Sequence, residues 1–464
     1  MVFSSLQFIF IFMPIFFLFY YFVPAKFRNV ILLIGSLTFY FVGAFYHPEH
    51  FILFLCSILL DFYVAIGIDK HKKHKRLLLL VGILLHIVAL AAFKYSSFLF
   101  QEFNRLTSTS IALKIYLPIG ISFYTFQGIS YLVDVYRGTV QAERNLLDFA
   151  VYISMFEQLI AGPIVTYKTV QNRLHERPIF KKDVITGLEI FIFGMGLKVL
   201  LANPVGKLFT DVRHIGFESI STPLAWMSIL AFTFQIYFDF FGYSLMAIGL
   251  GKMLGFAIPK NFDFPYLSTS MTEFWRRWHI TLGSWFREYV YIPLGGNQKG
   301  PKRQILNLLI VWLLTGIWHG AGYNFILWGF MLFVIMTFEK FFLKKYLDKK
   351  PWLGHLYMLL LIPLSWAVFA IEDISQLGLF FSRLFPLSGG FFSVFRYDYL
   401  KYLKMYWIFF LVGTVLCFKK PFQLLKKLDE KDHRYIQVFL FAVFAGSVYC
   451  MYKGFDDPFL YFRF

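Results

Sequence analysis

The sequence predicts an all-α polytopic membrane protein, and three observations support that prediction. Of its 464 residues, 58% are hydrophobic, 22% are aromatic and only 16% are charged, whereas about 25% of residues in soluble domains are charged. The apolar residues form long runs, many close to the roughly 20 residues that a membrane helix needs. These runs are apolar on all sides without alternation, which favours helices over barrel strands. The composition excludes a soluble enzyme, a disordered chain and a disulfide-rich secreted module.

About twelve runs are candidate spans, so we expect about 11–12 transmembrane helices in a single integral-membrane domain of residues 1–464. The first run follows MVFSSLQ, which lacks the positive charges of a signal peptide, so we expect a retained helix. The runs lie near residues 6–23, 29–46, 50–68, 77–99, 115–135, 183–202, 222–250, 304–319, 324–343, 354–371, 403–418 and 435–452.

Two segments do not fit as crossings. Residues 146–165 are apolar but have basic flanks and contain Gly162-Pro163, and residues 261–303 are polar yet rich in Trp, Phe and Tyr. We interpret both as re-entrant or interfacial segments on the cytoplasmic side. Non-helical backbone at membrane depth is tolerated only inside protein or along a cavity, so they indicate a cavity. Residues 374–402, with their Gly389-Gly390 pair, are expected to form a partly buried loop on the opposite side.

The basic residues indicate the orientation. The formal net charge is +18, and residues 70–76, KHKKHKR, are a strongly basic loop. If that loop is cytoplasmic, 33 of the 45 Lys and Arg residues lie on the cytoplasmic side, while HPEH at 47–50 lies outside. This distribution follows the positive-inside rule, so we attribute the charge to membrane topology and expect no nucleic-acid partner. Cys56, Cys417 and Cys450 have no metal or redox spacing, and we predict no bound metal or cofactor.

The richest stretch for chemistry is residues 261–297. Ser268 or Ser270 is a candidate helix cap with Glu273 in the first turn, and Trp275, Trp278 and His279 would share one helical face. One interpretation is an interfacial amphipathic helix with tryptophan and arginine anchors. The other is a mouth that attracts an anionic cytosolic ligand.

A second stretch, LLTGIWHGAGYNFILWGF at residues 313–330, places His319 at the end of an apolar run before a Gly-Ala-Gly break. An ionisable group at membrane depth indicates a functional site, and histidine can accept a proton near neutral pH. A hydrogen-bonded structural role is the alternative. His86 also lies in an apolar run but has no glycine break, so we predict a structural role for it.

Other polar side chains at membrane depth hold neighbouring helices together or line a polar path, and the sequence leaves both options open. They are Asp61, Asp134, Glu157, Gln158, Gln235 and Asp239. The sequence has no GxSxG nucleophile elbow and no phosphate-binding loop, which argues against a serine hydrolase.

Several motifs together resemble the membrane-bound O-acyltransferase superfamily, and most closely the branch of the alginate O-acetyltransferase membrane subunit. They run in family order over most of the chain, and Glu157 departs from the pattern of that branch. The motifs are MVFSS, LPIGISFYTFQGISYLVDVYRG (117–138), QLIAGPIV (158–165), TEFWRRWHITLGSWFREYVYIPLGGN (272–297) and IWHGAGYNFILWG (317–329).

The resemblance implies a many-helix fold around a tunnel, in the bacterial cytoplasmic (inner) membrane. His319 matches the catalytic histidine of the superfamily, and His279 matches the histidine of its RWH motif. It further implies an acetyl-CoA or other acetyl thioester donor, an extracytoplasmic glycan acceptor and a separate SGNH-type acetyltransferase partner. Candidates for lining the tunnel are Trp318, Asn324, Gln158, Gln235 and Asp239.

We expect the thioester to enter past Arg276, Arg277 and Trp278, the candidate donor-binding residues. We expect His319 to be the general base and His279 to position the thioester or polarise its carbonyl. The Phe-, Ile-, Lys- and Tyr-rich composition indicates an AT-rich genome. Such a genome slightly favours peptidoglycan over alginate or another exopolysaccharide as acceptor. The alternatives are a polytopic transporter or flippase, whose broken helices would look similar, and a D-alanyl transferase or a lipid or protein acyltransferase of the same superfamily.

Overall fold

The computed structural model describes residues 2–110, 115–386 and 396–454. Within those ranges the chain is helical, with no strand. It forms two compact units: the first comprises residues 1–191, 244–260 and 284–290, and the second comprises residues 192–243, 261–283 and 291–464. The all-α prediction is therefore confirmed, while the expectation of a single domain stays a prediction.

Eight helices belong to the first unit, and a ninth begins there. They are α1 (Met13–Phe22), α2 (Arg28–Gly43), α3 (Pro48–Lys70), α4 (Lys75–Thr107), α5 (Ile121–Arg137), α6 (Leu146–Ser154), α7 (Phe156–Leu159), α8 (Tyr167–His175) and α9 (Lys181–Gly196). A π-helical turn, Phe8–Phe12, precedes α1, and another, Leu197–Ala202, follows α9.

The remaining helices carry the chain through the second unit. They are α10 (Asn203–Ile215), α11 (Thr222–Leu254), α12 (Met271–Arg277), α13 (Ile280–Phe286), α14 (Gly300–His319), α15 (Tyr323–Phe338), α16 (Lys344–Lys349), α17 (Pro351–Ala370), α18 (Ile374–Leu384), α19 (Asp398–Leu416), α20 (Lys419–Lys431) and α21 (His433–Tyr452). The end of α11 and part of α13 belong to the first unit.

In the described residues, nine helices are long and apolar enough to cross a membrane. They are Ala25–Gly43, Pro48–Lys70, Lys75–Thr107, Lys181–Ile215, Thr222–Leu254, Tyr323–Lys349, Pro351–Ala370, Asp398–Leu416 and His433–Tyr452. The other three predicted spans are also helical: Phe8–Phe22 is a shorter apolar helix, α5 has 17 residues, and α14 has 20 residues but is less apolar. The chain is a multi-pass membrane protein.

The segment 146–165 consists of short helices followed by non-helical backbone. Helix α6 has nine residues and α7 has four. At a rise of about 1.5 Å per residue neither can cross a bilayer. Nearly all of their side chains are buried within the first unit. This agrees with the interpretation of the segment as a non-crossing piece whose irregular backbone is covered by protein.

Residues 374–402 are not simply a loop: α18 covers their first part and α19 begins at Asp398, so that expectation is wrong at both ends. Helix α18 begins after Asp373, whose carboxylate accepts hydrogen bonds from the backbone N–H groups of Ser375 and Gln376. This capping satisfies donors that the first turn of a helix leaves unpaired, which explains why a helix starts here. The Gly389-Gly390 pair lies outside the described residues.

A buried polar pair lies where α3, α4 and α5 pack together in the first unit. His86 Nε2 lies 2.7 Å from Asp61 Oδ1, and both side chains are buried. Gly128 of α5 faces this pair, and a Cβ atom there would overlap Asp61 and His86. The structural role predicted for His86 therefore has a specific partner, and Asp61 is a helix-joining residue.

Candidate active site

Helix α12 brings the RWH motif into the core of the second unit. Ser270 is its N-cap and accepts a hydrogen bond from the backbone N–H of Glu273. The buried Glu339 carboxylate accepts two more, from the N–H groups of Met271 and Thr272. An anion at a helix N-terminus is favourable. The prediction of a cap at Ser268 or Ser270 is confirmed for Ser270, and Glu339 is a further anchor that the sequence did not reveal.

The prediction that Trp275, Trp278 and His279 share one helical face is wrong. Helix α12 ends at Arg277, Trp278 has extended backbone angles, and His279 has a left-handed φ of 44°. Such a conformation is strained for a side chain with a Cβ atom, and strain of this kind clusters at functional sites. The cause of the break is tertiary: the Ile280 N–H donates to the Asn261 carbonyl, and the Asp263 N–H donates to the Arg277 carbonyl.

Asn261 also determines which nitrogen of His279 carries the proton. Its Oδ1 atom accepts hydrogen bonds from the backbone N–H and the hydroxyl of Thr281, at 3.3 and 2.9 Å. The same Oδ1 atom lies 3.0 Å from His279 Nδ1. Since the peptide N–H can only donate, that Asn261 atom is an acceptor, and His279 Nδ1 must be the donor. In the neutral ring Nε2 then carries the lone pair.

The His279 imidazole is fully enclosed, with 1% of the residue exposed. Burial lowers the pKa of His279 from 6.5 to about 3, because removal from water penalises the charged form. His279 is therefore a neutral imidazole at physiological pH. Its ring packs edge-on against Phe240 at a centroid distance of 4.7 Å and lies 6.4 Å from the Trp318 ring.

His319 is the last residue of α14 and is 8% exposed. Gly320 follows with an extended backbone, and α15 starts at Tyr323. The break predicted from Gly-Ala-Gly is therefore present. The carbonyl end of a helix carries a partial negative charge, which stabilises a positive charge that forms beside it.

Aromatic rings surround the His319 imidazole. Trp328 of α15 and Phe369 of α17 lie at centroid distances of 5.1 and 5.3 Å, with rings nearly perpendicular to it. The Trp318 ring lies 4.8 Å from the His319 ring and 6.4 Å from the His279 ring, so it neighbours both histidines. The cluster continues through Trp275, Trp278, Trp312 and Trp366. The sequence did not single out Trp312, Trp366 or Phe369, because aromatic residues in apolar helices are ordinary core residues.

Close helix packing holds His319 in place. At Gly316 of α14 an added Cβ would collide with the Phe325 carbonyl of α15, and at Gly329 one would collide with the Trp312 carbonyl. Asn324, predicted to line a tunnel, is fully buried and donates through Nδ2 to the Phe369 carbonyl at 2.9 Å. These contacts join the carbonyl end of α14 to α15 and α17.

The three predicted donor-binding residues lie in different environments. Arg276 is exposed, and it lies close enough to the exposed Lys340 for their charges to repel. Arg277 is half-buried and bonded to Glu273 Oε1 at 2.6 Å and to the Asp263 carbonyl at 3.3 Å. Trp278 is 4% exposed and lies within the aromatic cluster. An interfacial anchor alone does not account for the burial of Trp278 and His279.

The other predicted tunnel residues make specific contacts. Asp239 Oδ1 is paired at 2.5 Å with Nζ of the buried Lys198, and Gln235 packs against Gly206 of α10. In the first unit, Gln158 donates through Nε2 to the Tyr152 carbonyl at 2.8 Å. Lys198 was missed because it is a lone cation in the apolar run LKVLLA. That run adopts π-helical geometry, which often marks functional segments.

The fold and these two histidines define a multi-pass membrane protein with a buried, aromatic-lined histidine at a helix break. The membrane-bound O-acyltransferase family model matches residues 140–347. The probable alginate O-acetylase AlgI of Pseudomonas aeruginosa is 36% identical over 400 residues, covering 84% of this chain and 75% of the relative. The chain belongs to the membrane-bound O-acyltransferase family and is an O-acyltransferase.

Two further relatives have different acceptors in their names. The peptidoglycan O-acetyltransferase of Helicobacter pylori is 36% identical over 366 residues, covering 71% of this chain and 69% of the relative. The teichoic acid D-alanyltransferase of Bacillus subtilis is 26% identical over 246 residues, covering 51% of this chain and 62% of the relative.

Proposed function

We propose that this protein transfers an acetyl group from a cytosolic thioester to an extracytoplasmic polysaccharide, with His319 as the general base. The observation that carries the proposal is the buried imidazole at the carbonyl end of α14, enclosed by Trp328 and Phe369. Acetyl transfer is favoured over D-alanyl transfer because the two acetyl-transferring relatives are 36% identical and the D-alanyl relative is 26% identical.

The reaction needs one proton acceptor and a dry site. The imidazole of His319 takes the proton of the acceptor hydroxyl while the hydroxyl oxygen forms a bond to the thioester carbonyl carbon. The carbon–sulfur bond then breaks, and the imidazolium returns the proton to the departing thiolate. The carbonyl end of α14 and the flanking aromatic rings favour the transient imidazolium. The same rings exclude water, which would otherwise hydrolyse the thioester.

We propose a positioning role for His279. With its proton on Nδ1, directed to Asn261, Nε2 is an acceptor and cannot donate a hydrogen bond to a thioester carbonyl. Of the two roles expected from the sequence, we therefore favour positioning, in which Nε2 accepts a hydrogen bond from an amide or hydroxyl of the donor. Its neutral charge in the buried site agrees with this role.

Arg276 is the arginine that we assign to donor attraction. Its side chain is exposed beside Lys340, so the two cations can attract an anionic donor such as acetyl-CoA. Arg277 is neutralised by Glu273 and bonded to the backbone at Asp263, which supports a structural role. Trp278 would act through packing of the aromatic cluster.

We propose peptidoglycan as the acceptor and the cytoplasmic membrane of a bacterium as the location. The Phe-, Ile-, Lys- and Tyr-rich composition is typical of an AT-rich genome, which supports peptidoglycan. A donor that is made in the cytosol requires an enzyme in the cytoplasmic membrane. From the resemblance to the alginate O-acetyltransferase branch, we further propose that an extracytoplasmic SGNH-type acetyltransferase assists this protein at the glycan.

The test uses everted membrane vesicles that expose the cytoplasmic face. With [¹⁴C]acetyl-CoA outside, we expect base-labile label on peptidoglycan in the lumen, dependent on this protein and increased by co-expression of the extracytoplasmic partner. Label on the glycan from a D-alanyl carrier instead of acetyl-CoA would contradict acetyl transfer. Movement of a substrate without any acylation would support the transporter alternative.

A further inference from the structure

The turn between α2 and α3 carries a cluster of metal-ligating side chains: His47, Glu49 and His50. His47 precedes α3, Pro48 begins the helix, and the two other residues lie in its first turn. One potential ligand atom from each of the three side chains lies within 4.8 Å of the others. Within residues 2–110, 115–386 and 396–454, this is the one such group of three His, Cys, Asp or Glu side chains.

We propose that His47, Glu49 and His50 form a site for a divalent transition-metal ion of the Zn²⁺ type. Two imidazoles and one carboxylate suit Zn²⁺, which takes nitrogen and oxygen ligands at about 2.0–2.2 Å in a tetrahedral arrangement. Three protein ligands leave the fourth position for water or another group. The proposal is independent of the proposed acyl transfer, since these residues belong to the first unit and no step assigned to His319 uses them.

The three side chains combine one fixed ligand with two adjustable ones. His50 is 5% exposed, and its ring packs edge-on against Phe93 at 5.8 Å. The backbone of Tyr116 lies beside its ring and is the candidate partner for one ring nitrogen. A backbone partner on one ring nitrogen is the usual arrangement around a metal-bound histidine, because it orients the ring and leaves the other nitrogen for the metal.

The other two side chains can close around an ion with small rotations. His47 is half-exposed and Glu49 is exposed. His47 Nδ1 lies 2.9 Å from Glu49 Oε1, and the His47 and His50 rings lie 5.0 Å apart. Ligand atoms around tetrahedral Zn²⁺ are about 3.4 Å apart, given the usual bond lengths. Since the three ligand atoms lie within 4.8 Å of one another, shifts of about 1–2 Å bring them to that spacing.

The sequence supplies a matched control. His71 and His74 have the same spacing of three residues as His47 and His50, but lysines lie between them and both are exposed. The repulsion of these lysines disfavours a divalent cation. A metal that binds any pair of surface histidines would use both pairs, whereas the proposed site requires the carboxylate of Glu49.

The experiment measures metal binding by the full-length protein in detergent, purified without a histidine tag and freed of metal. We expect one Zn²⁺ per chain, a rise in Tm on adding Zn²⁺, and a Co²⁺ visible absorption spectrum of a four-coordinate ion. Mg²⁺ should neither bind nor compete. Glu49→Gln keeps the shape of an exposed side chain and should lower Zn²⁺ affinity at least tenfold, and His50→Gln should do the same.

The double variant His71→Gln/His74→Gln should bind Zn²⁺ as the unchanged protein does. The proposal is overturned if the unchanged protein binds no Zn²⁺ at micromolar concentration, in which case His47 and Glu49 form only an ion pair. It is also overturned if Glu49→Gln, folded as judged by its Tm without metal, binds Zn²⁺ with unchanged affinity. Loss of binding in the control variant would assign the metal to the basic loop instead.

Discussion

His279 combines a left-handed backbone, a buried ring and a proton directed to Asn261. The sequence around it, FWRRWHIT, contains no glycine or proline, so no local signal predicts that a helix ends there. The break depends on hydrogen bonds to residues 261–263, which are distant in sequence. The identity of the histidine could be predicted from the motif, whereas its backbone and protonation required the tertiary structure.

The first prediction at this scale concerns the stability of the protein as a function of pH. The pKa of His279 is lowered to about 3 in the folded protein, from its ordinary value of about 6.5 in the unfolded chain. Between these values the unfolded chain binds more protons, so stability is lost as pH falls below about 6.5 and is fully present above it. At pH 5 the free energy of unfolding has fallen by about 2 kcal/mol through this group.

We therefore expect the Tm of the unchanged protein to fall more between pH 8 and pH 5 than the Tm of His279→Gln. Thermal unfolding in detergent at the two pH values measures the difference. The control is His355→Gln, since His355 is exposed on α17 and should leave the pH dependence as it is. Equal falls in Tm for His279→Gln and the unchanged protein would contradict the neutral, buried imidazole.

The second prediction separates the two neighbouring arginines. Arg276→Ala should raise the KM for acetyl-CoA several-fold with little change in kcat, because it removes an exposed charge near Lys340. Arg277→Ala should lower Tm instead, because it removes the bonds to Glu273 and Asp263. Initial rates over a range of donor concentrations, with protein levels matched, distinguish them. An unchanged KM in Arg276→Ala would return this residue to the role of interfacial anchor.

At the scale of elements, α14 and α15 form the support of His319. Their close approach at Gly316 and Gly329 leaves no room for side chains. The sequence predicted both helices and the glycine break between them from hydropathy. It could not predict the approach of Trp366 and Phe369 from α17, since contact between distant helices leaves no periodic signal.

The third prediction tests this support. Gly316→Ala adds a methyl group that overlaps the Phe325 carbonyl, so α14 and α15 must separate. We expect a lower Tm and an acetyl-transfer rate reduced tenfold or more, because His319 moves with the end of α14. The matched control is Gly378→Ala in α18, where an added Cβ meets nothing within 4 Å. Equal behaviour of the two variants would contradict tight packing at Gly316.

At the scale of the whole molecule, hydropathy predicted the class of fold well. Long apolar runs became helices, and the segments 146–165 and 261–303 contain helices too short to cross. The role of Lys198 could not be predicted, because a single cation in an apolar run forms no recognisable sequence pattern. Its partner Asp239 lies 41 positions away in the sequence. A polar residue at membrane depth indicates that it has a hydrogen-bonding or ionic partner, but the sequence does not show which residue that partner is.

The fourth prediction concerns the orientation of the chain in the membrane. The distribution of basic residues predicts that the loop 70–76 is cytoplasmic and that the turn before α3 is extracytoplasmic. A single cysteine at the exposed Tyr46 should react with a membrane-impermeant maleimide added to intact spheroplasts, and one at Lys73 should react only after the membrane is opened. The background would carry Ser at all three native cysteines. The reverse labelling pattern would place the proposed donor-binding side outside the cytoplasm and contradict this orientation.

The central claim is that His319 takes the proton of the acceptor hydroxyl, and the most direct measurement is acetyl transfer by His319→Gln in everted vesicles. Glutamine keeps most of the volume and a hydrogen-bonding group but cannot accept a proton at neutral pH. We predict a normal amount of protein in the membrane and a rate about 10²–10⁴-fold lower, the usual effect of a general base, with His355→Gln unchanged. A rate near that of the unchanged protein would contradict the assignment, and failure of His319→Gln to accumulate in the membrane would support a structural role instead.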